Sequence, residues 1–128
     1  MAAVFAYIVI ALAIWMHPTN SITADTSWIA PEWGTPAGGA ADSFPGRDGY
    51  CHIRIRRDSW EVVSEDLRRW LMIHEVGHCL GLWNPADYHE GEGYMTGYDY
   101  MTAADQFRID ALHPSPIVRR AVVPMVSH

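Results

Sequence analysis

Residues 2–16, AAVFAYIVIALAIWM, are apolar or tyrosine throughout, and no side chain among the first sixteen is charged. A membrane span needs about twenty such residues, so the run is short for one. Its pattern fits three fates: the apolar region of a secretory signal, an uncleaved anchor, or a buried element of the fold. A cleaved signal would end near Ala24, which makes 1–24 a signal peptide or membrane anchor and leaves 25–128. Residues 25–49 are punctuated by Pro31, Pro36, Gly38, Gly39, Pro45, Gly46 and Gly49 and carry no periodicity, which predicts an irregular linker. Trp28 and Trp33 are expected to tuck it onto the domain. Residues 50–57 alternate: Cys51, Ile53 and Ile55 face one way, His52, Arg54 and Arg56 the other. That is a half-buried strand whose polar side marks an exposed face or a sheet edge. Val63, Leu67, Trp70, Leu71, His74 and His78 then recur at three- and four-residue steps. They predict one helix from Glu61 or Ser64 to Leu80, with Gly81 as its left-handed cap. A second helix fits Ala103–Leu112, capped by Thr102 and stopped by Pro114. Residues 114–128 form a tail.

The chain has 128 residues, enough for one domain, with 49% hydrophobic and 19% charged residues. That composition excludes a disordered tail, a collagen-like repeat and a multi-span membrane protein. Nine basic and fifteen acidic side chains leave a net charge of −6. The only basic group is Arg54, Arg56 and Arg57, so no nucleic-acid footprint is present. The two cysteines, Cys51 and Cys79, allow one disulfide or two buried thiols.

His74-Glu75-Val76-Gly77-His78 fits the pattern H-E-x-x-H. Residues four apart on a helix share a face, so both imidazoles can reach one ion, and zinc favours nitrogen ligands. Glu75 lies at the edge of that face, placed to take a proton from a zinc-activated water as the water attacks a carbonyl carbon. Cys79 is turned about 100° from His78 around the helix and is not expected to be a ligand. His17, His52, His113 and His128 carry no such spacing and read as surface or tail histidines.

Residues 74–84, HEVGHCLGLWN, resemble the metzincin zinc-protease signature H-E-x-x-H-x-x-G-x-x-H/D. In that clan the glycine, here Gly81, turns the chain so that a third ligand returns to the metal. Gly93-Tyr94-Met95-Thr96-Gly97 resembles the Met-turn, which implies Met95 beneath the metal. Residues 101–112 look like the closing helix of the matrixins, and the spacing around Met95 is similar to that of snapalysins. The resemblance covers 50–113 and implies a small α+β domain with a mixed sheet packed on an active-site helix and a C-terminal helix. Metzincin catalytic domains carry more structure before the active-site strand than precedes Tyr50 here, so the chain reads as a minimal version or one lacking its upstream half.

At the third ligand position the clan has His or Asp and this chain has Asn84, whose amide oxygen is a poor zinc ligand. Asn84, His89, Asp87 and water all stay open for that place. Glu90 and Glu92 point less directly to a clan that uses a downstream glutamate. Tyr94, Tyr98 and Tyr100 are candidates for an oxyanion donor, or packing aromatics. The reading is a secreted or externally anchored zinc metalloendopeptidase with Glu75 as general base, acting on a peptide or protein that docks along strand 50–57. Calcium is left open, and residues 2–16 offer a membrane contact. One alternative is a weak or inactive zinc- or peptide-binding module derived from such a protease. Another is a membrane-anchored structural protein carrying the motif incidentally.

Overall fold

The computed structural model describes residues 1–16 and 25–82. Within them lie helix α1 (Ala2–Met16), strands β1 (Ile29–Trp33), β2 (Ala41–Pro45) and β3 (Cys51–Ile55), and helices α2 (Arg57–Val62) and α3 (Glu65–Cys79). This is a small α+β arrangement around a three-stranded mixed sheet. The expected helix at 103–112 and the tail lie outside the described residues.

β3 is the organising strand. Its alternation is as the sequence predicts, with Cys51, Ile53 and Ile55 fully buried and His52 and Arg54 half-buried on the other side. It lies at the centre of the sheet, parallel to β1 and antiparallel to β2, in the order β1-β3-β2. The reading of 50–57 as a sheet edge is therefore corrected: the polar side is an exposed face, and both edges of β3 are paired.

The irregular linker expected over 25–49 is also corrected, since it supplies both flanking strands. β1 reads Ile-Ala-Pro-Glu-Trp and β2 reads Ala-Asp-Ser-Phe-Pro, neither of which is a strand by composition. Pro31 is tolerated because β1 has only β3 beside it among the described residues. Both strands owe their conformation to the apolar face and open hydrogen bonds of β3, a tertiary effect that overrides local propensity. Trp28 is buried and Trp33 packs against the core, as expected.

The single predicted helix is two. α2 ends at Val62, and Val63 and Ser64 both have extended backbone. Ser64 then caps α3, its hydroxyl accepting from the Leu67 amide at 3.2 Å, with Glu65 and Asp66 in the first turn complementing the helix dipole. Asp58 falls in the first turn of α2, whose N-cap, Arg56, makes no side-chain cap.

Residues 2–16, for which the sequence leaves three readings open, form helix α1 and lie against the core. Val4, Ile8, Ala11, Leu12 and Trp15 form one stripe of α1 and join the core. The stripe lies against α3, where the Trp15 indole donates to the Ile73 carbonyl at 2.8 Å. Tyr7 meets Trp60 of α2 edge-on, with ring centroids 5.3 Å apart. Among the described residues no helix is long and apolar enough to cross a membrane.

A disulfide joins Cys51 of β3 to Cys79 at the end of α3, deciding between the two alternatives the cysteines allowed. It spans 28 residues, and closing a loop of that length removes about 3–4 kcal/mol of unfolded-state entropy. The strand and the motif-bearing helix are thus tied together at the candidate site.

Candidate functional site

The site is built on the last two turns of α3 and the turn that ends it. His74 and His78 lie on one face, with ring centroids 4.7 Å apart and planes nearly perpendicular. Their Nε2 atoms are 3.1 Å apart. His78 is fully buried and His74 half-buried, with Trp70, one turn earlier, tilted over the His74 ring at 5.4 Å.

The end of the helix sets the His78 ring. The Leu82 amide donates to the Gly77 carbonyl at 3.1 Å and the Gly81 amide to the His78 carbonyl at 2.8 Å. Those two bonds, with Gly81 at φ 110°, form a Schellman turn. The turn brings the Leu82 carbonyl back to within 2.9 Å of His78 Nδ1. A carbonyl can only accept, so Nδ1 carries the proton and neutral His78 presents a lone pair at Nε2. That lone pair points at the His74 ring, and the gap suits one shared proton or one shared cation.

Glu75 is 2% exposed. Its Oε1 accepts from the Ser43 hydroxyl at 2.6 Å, and Ser43 Oγ is also 3.2 Å from the Glu75 carbonyl. Burial pushes the carboxyl from 4.5 up to about 7. The Ser43 bond opposes the rise, and the negative charge of Asp42 adds to it. Asp42 is itself held by both arms of the Arg54 guanidinium, at 2.9 and 2.6 Å, and by the Ala37 amide at 2.9 Å. A largely apolar cavity of about 440 Å³ opens beside the site, between Gly38–Ala41 ahead of and within β2 and Leu67, Trp70 and Leu71 of α3. His74 and Glu75 form its polar end.

The structure therefore brings His74, Glu75 and His78 together. Asn84, Asp87, His89, Glu90, Glu92, Tyr94, Met95, Tyr98 and Tyr100 lie outside the described residues. Among those that are described, no group of three or more His, Cys, Asp or Glu side chains is arranged to hold a metal ion. Cys79 is committed to the disulfide. His52 sits on the opposite face of β3, between Glu32 and Asp48 at 3.2 and 2.9 Å and stacked on Phe44. The residues that sequence reasoning missed are Ser43 and Asp42, in a stretch with no periodic signal, and Leu82, which contributes a backbone atom that no motif marks.

No protein-family model and no solved structure matches the chain. Serralysin C of Dickeya chrysanthemi is 37% identical over 49 residues, which is 38% of this chain and 10% of that protein. The chain is thus similar, over a short stretch, to one tenth of a serralysin.

Proposed function

We propose that the chain is a zinc-dependent endopeptidase in which His74 and His78 hold the metal through Nε2 and Glu75 is the general base. The observation that carries the reading is the pair of nitrogens 3.1 Å apart, one of them with its lone pair fixed by the Leu82 carbonyl. Two nitrogens bound at about 2.0–2.1 Å to a tetrahedral ion lie about 3.4 Å apart, so the pair needs little movement to receive one. The backbone bond to Nδ1 is the kind of outer partner that orients a ligating histidine. The partial likeness to Serralysin C, a metzincin, supports the same class. A further ligand would come from 83–128, where Asn84, Asp87 and His89 are the candidates.

His74 and His78 would hold the zinc, which would supply a Lewis acid able to make a water acidic near neutral pH. The chain's own residues do the rest. Glu75 takes a proton from the attacking water and passes it to the departing amine. The substrate's docking line moves from β3 to β2, whose only neighbouring strand among the described residues is β3 and whose start borders the cavity. An extended peptide adding to that edge would lay an apolar side chain into the cavity. A disulfide between β3 and α3 fits an oxidising, extracellular setting.

The test is cleavage of a mixture of unstructured peptides, read by mass spectrometry. Wild type is expected to cleave, and Glu75→Gln to lose about a hundredfold or more in kcat while retaining zinc. Zinc binding with no cleavage in wild type would instead support the binding-module alternative.

A further inference from the structure

β2 places one polar side chain on the inner face of the sheet. Ser43 is 1% exposed and pairs in register with Ile53, whose side chain is fully buried. A hydroxyl in such a layer costs stability unless it is hydrogen-bonded, and in a strand its position would ordinarily go to an apolar residue. Its neighbour Asp42 points the other way, to Arg54. Among the described residues Ser43 reaches Glu75. Its single proton has two acceptors there, Oε1 at 2.6 Å and the backbone carbonyl at 3.2 Å. The shorter contact goes to a carboxylate oxygen and is the stronger of the two.

We propose that Ser43 is a positioning residue for Glu75. By holding Oε1 from the neighbouring strand, it fixes the rotation of the carboxylate and leaves Oε2 as the oxygen that takes the proton. Among the described residues no donor is paired with Oε2, and Glu75 lines the cavity. A glutamate on a helix turns about three side-chain bonds. A carboxylate misplaced by about 1 Å can lose on the order of a hundredfold in rate, so one short bond to a rigid strand is an effective restraint. The bond also explains why β2 and α3 must keep their register: a one-residue slip of β2 would turn Ser43 away and present Asp42 or Phe44 instead.

This inference rests on the endopeptidase reading, and the experiment separates the two. Full-length wild type, Ser43→Ala, Ser43→Thr and Ser43→Cys are compared on the peptide that wild type cleaves best, with zinc content and melting temperature measured on each. Ser43→Ala is expected to lower kcat by about 10–100-fold with KM within about twofold and zinc content unchanged. Ser43→Thr, which restores a hydroxyl on a strand that accepts β-branching, should return to within about threefold of wild type. Ser43→Cys, a weak donor of similar shape, should fall between. If Ser43→Ala does not fold, the difference between the Thr and Cys variants carries the test. Wild-type kcat in Ser43→Ala, or equal losses in all three variants accompanied by loss of zinc, would overturn the positioning role and leave the endopeptidase reading standing. A wild type that cleaves none of the peptides would overturn both.

Discussion

Glu75 is the residue whose surroundings say most about the molecule. Burial of a carboxyl that is 2% exposed deprives its ionised form of most of its hydration, and one hydroxyl at 2.6 Å returns only part of it. In metal-free protein the folded chain therefore keeps this proton up to about pH 7, whereas the unfolded chain releases it near 4.5. Between those values the folded state binds more protons than the unfolded one, so stability falls as pH rises and levels off above about 7. The rise from 4.5 to about 7 corresponds to on the order of 3 kcal/mol. Urea unfolding of chelator-treated protein at pH 4.5 and pH 8 is expected to show this loss in wild type and to show it reduced in Glu75→Gln, which has no proton to lose. Equal slopes in the two proteins would contradict the buried environment. The three motif residues were legible in the sequence because a four-residue step fixes which side chains share a helix face. Ser43 was not, because its role depends on strand pairing 32 residues away from Glu75.

At the scale of elements, α3 matches its sequence closely at both ends. Ser64 caps it and Gly81 closes it, and each does so through a bond that local chemistry dictates. The closing turn also serves the site, since it delivers the Leu82 carbonyl to His78. Gly81→Ala places a Cβ at φ 110°, a conformation that L residues adopt at a cost of about 1–3 kcal/mol. The variant is expected to melt earlier and, by displacing Leu82 from Nδ1, to bind zinc about 10–100-fold more weakly. Unchanged zinc affinity with a lowered melting temperature would mean that the turn matters to the fold alone. The strands were legible only in part. β3 alternates and could be read, whereas β1 and β2 are short, carry Pro31 and Pro45, and form because β3 offers them partners. The break between α2 and α3 was foreshadowed by Ser64, one of the two starts the sequence allowed.

At the scale of the whole molecule, the apolar N-terminal run and the disulfide support the site from behind and from the side. α1 buries Val4, Ile8, Leu12 and Trp15 against the core while Phe5, Val9 and Ile10 stay 40–46% exposed. A helix apolar on every face gives a sequence no means of telling a core element from a secretory or anchoring one. The Cys51–Cys79 link fastens the far end of α3 to the central strand one residue after His78. All these supports converge on two imidazole nitrogens, and the measurement that tests the account most directly is the zinc content of the purified full chain beside His74→Ala and His78→Ala. Near-stoichiometric zinc in wild type, lost in both variants while they stay folded, is the result predicted. A folded wild type that binds no zinc, or that keeps its zinc in both variants, would contradict it.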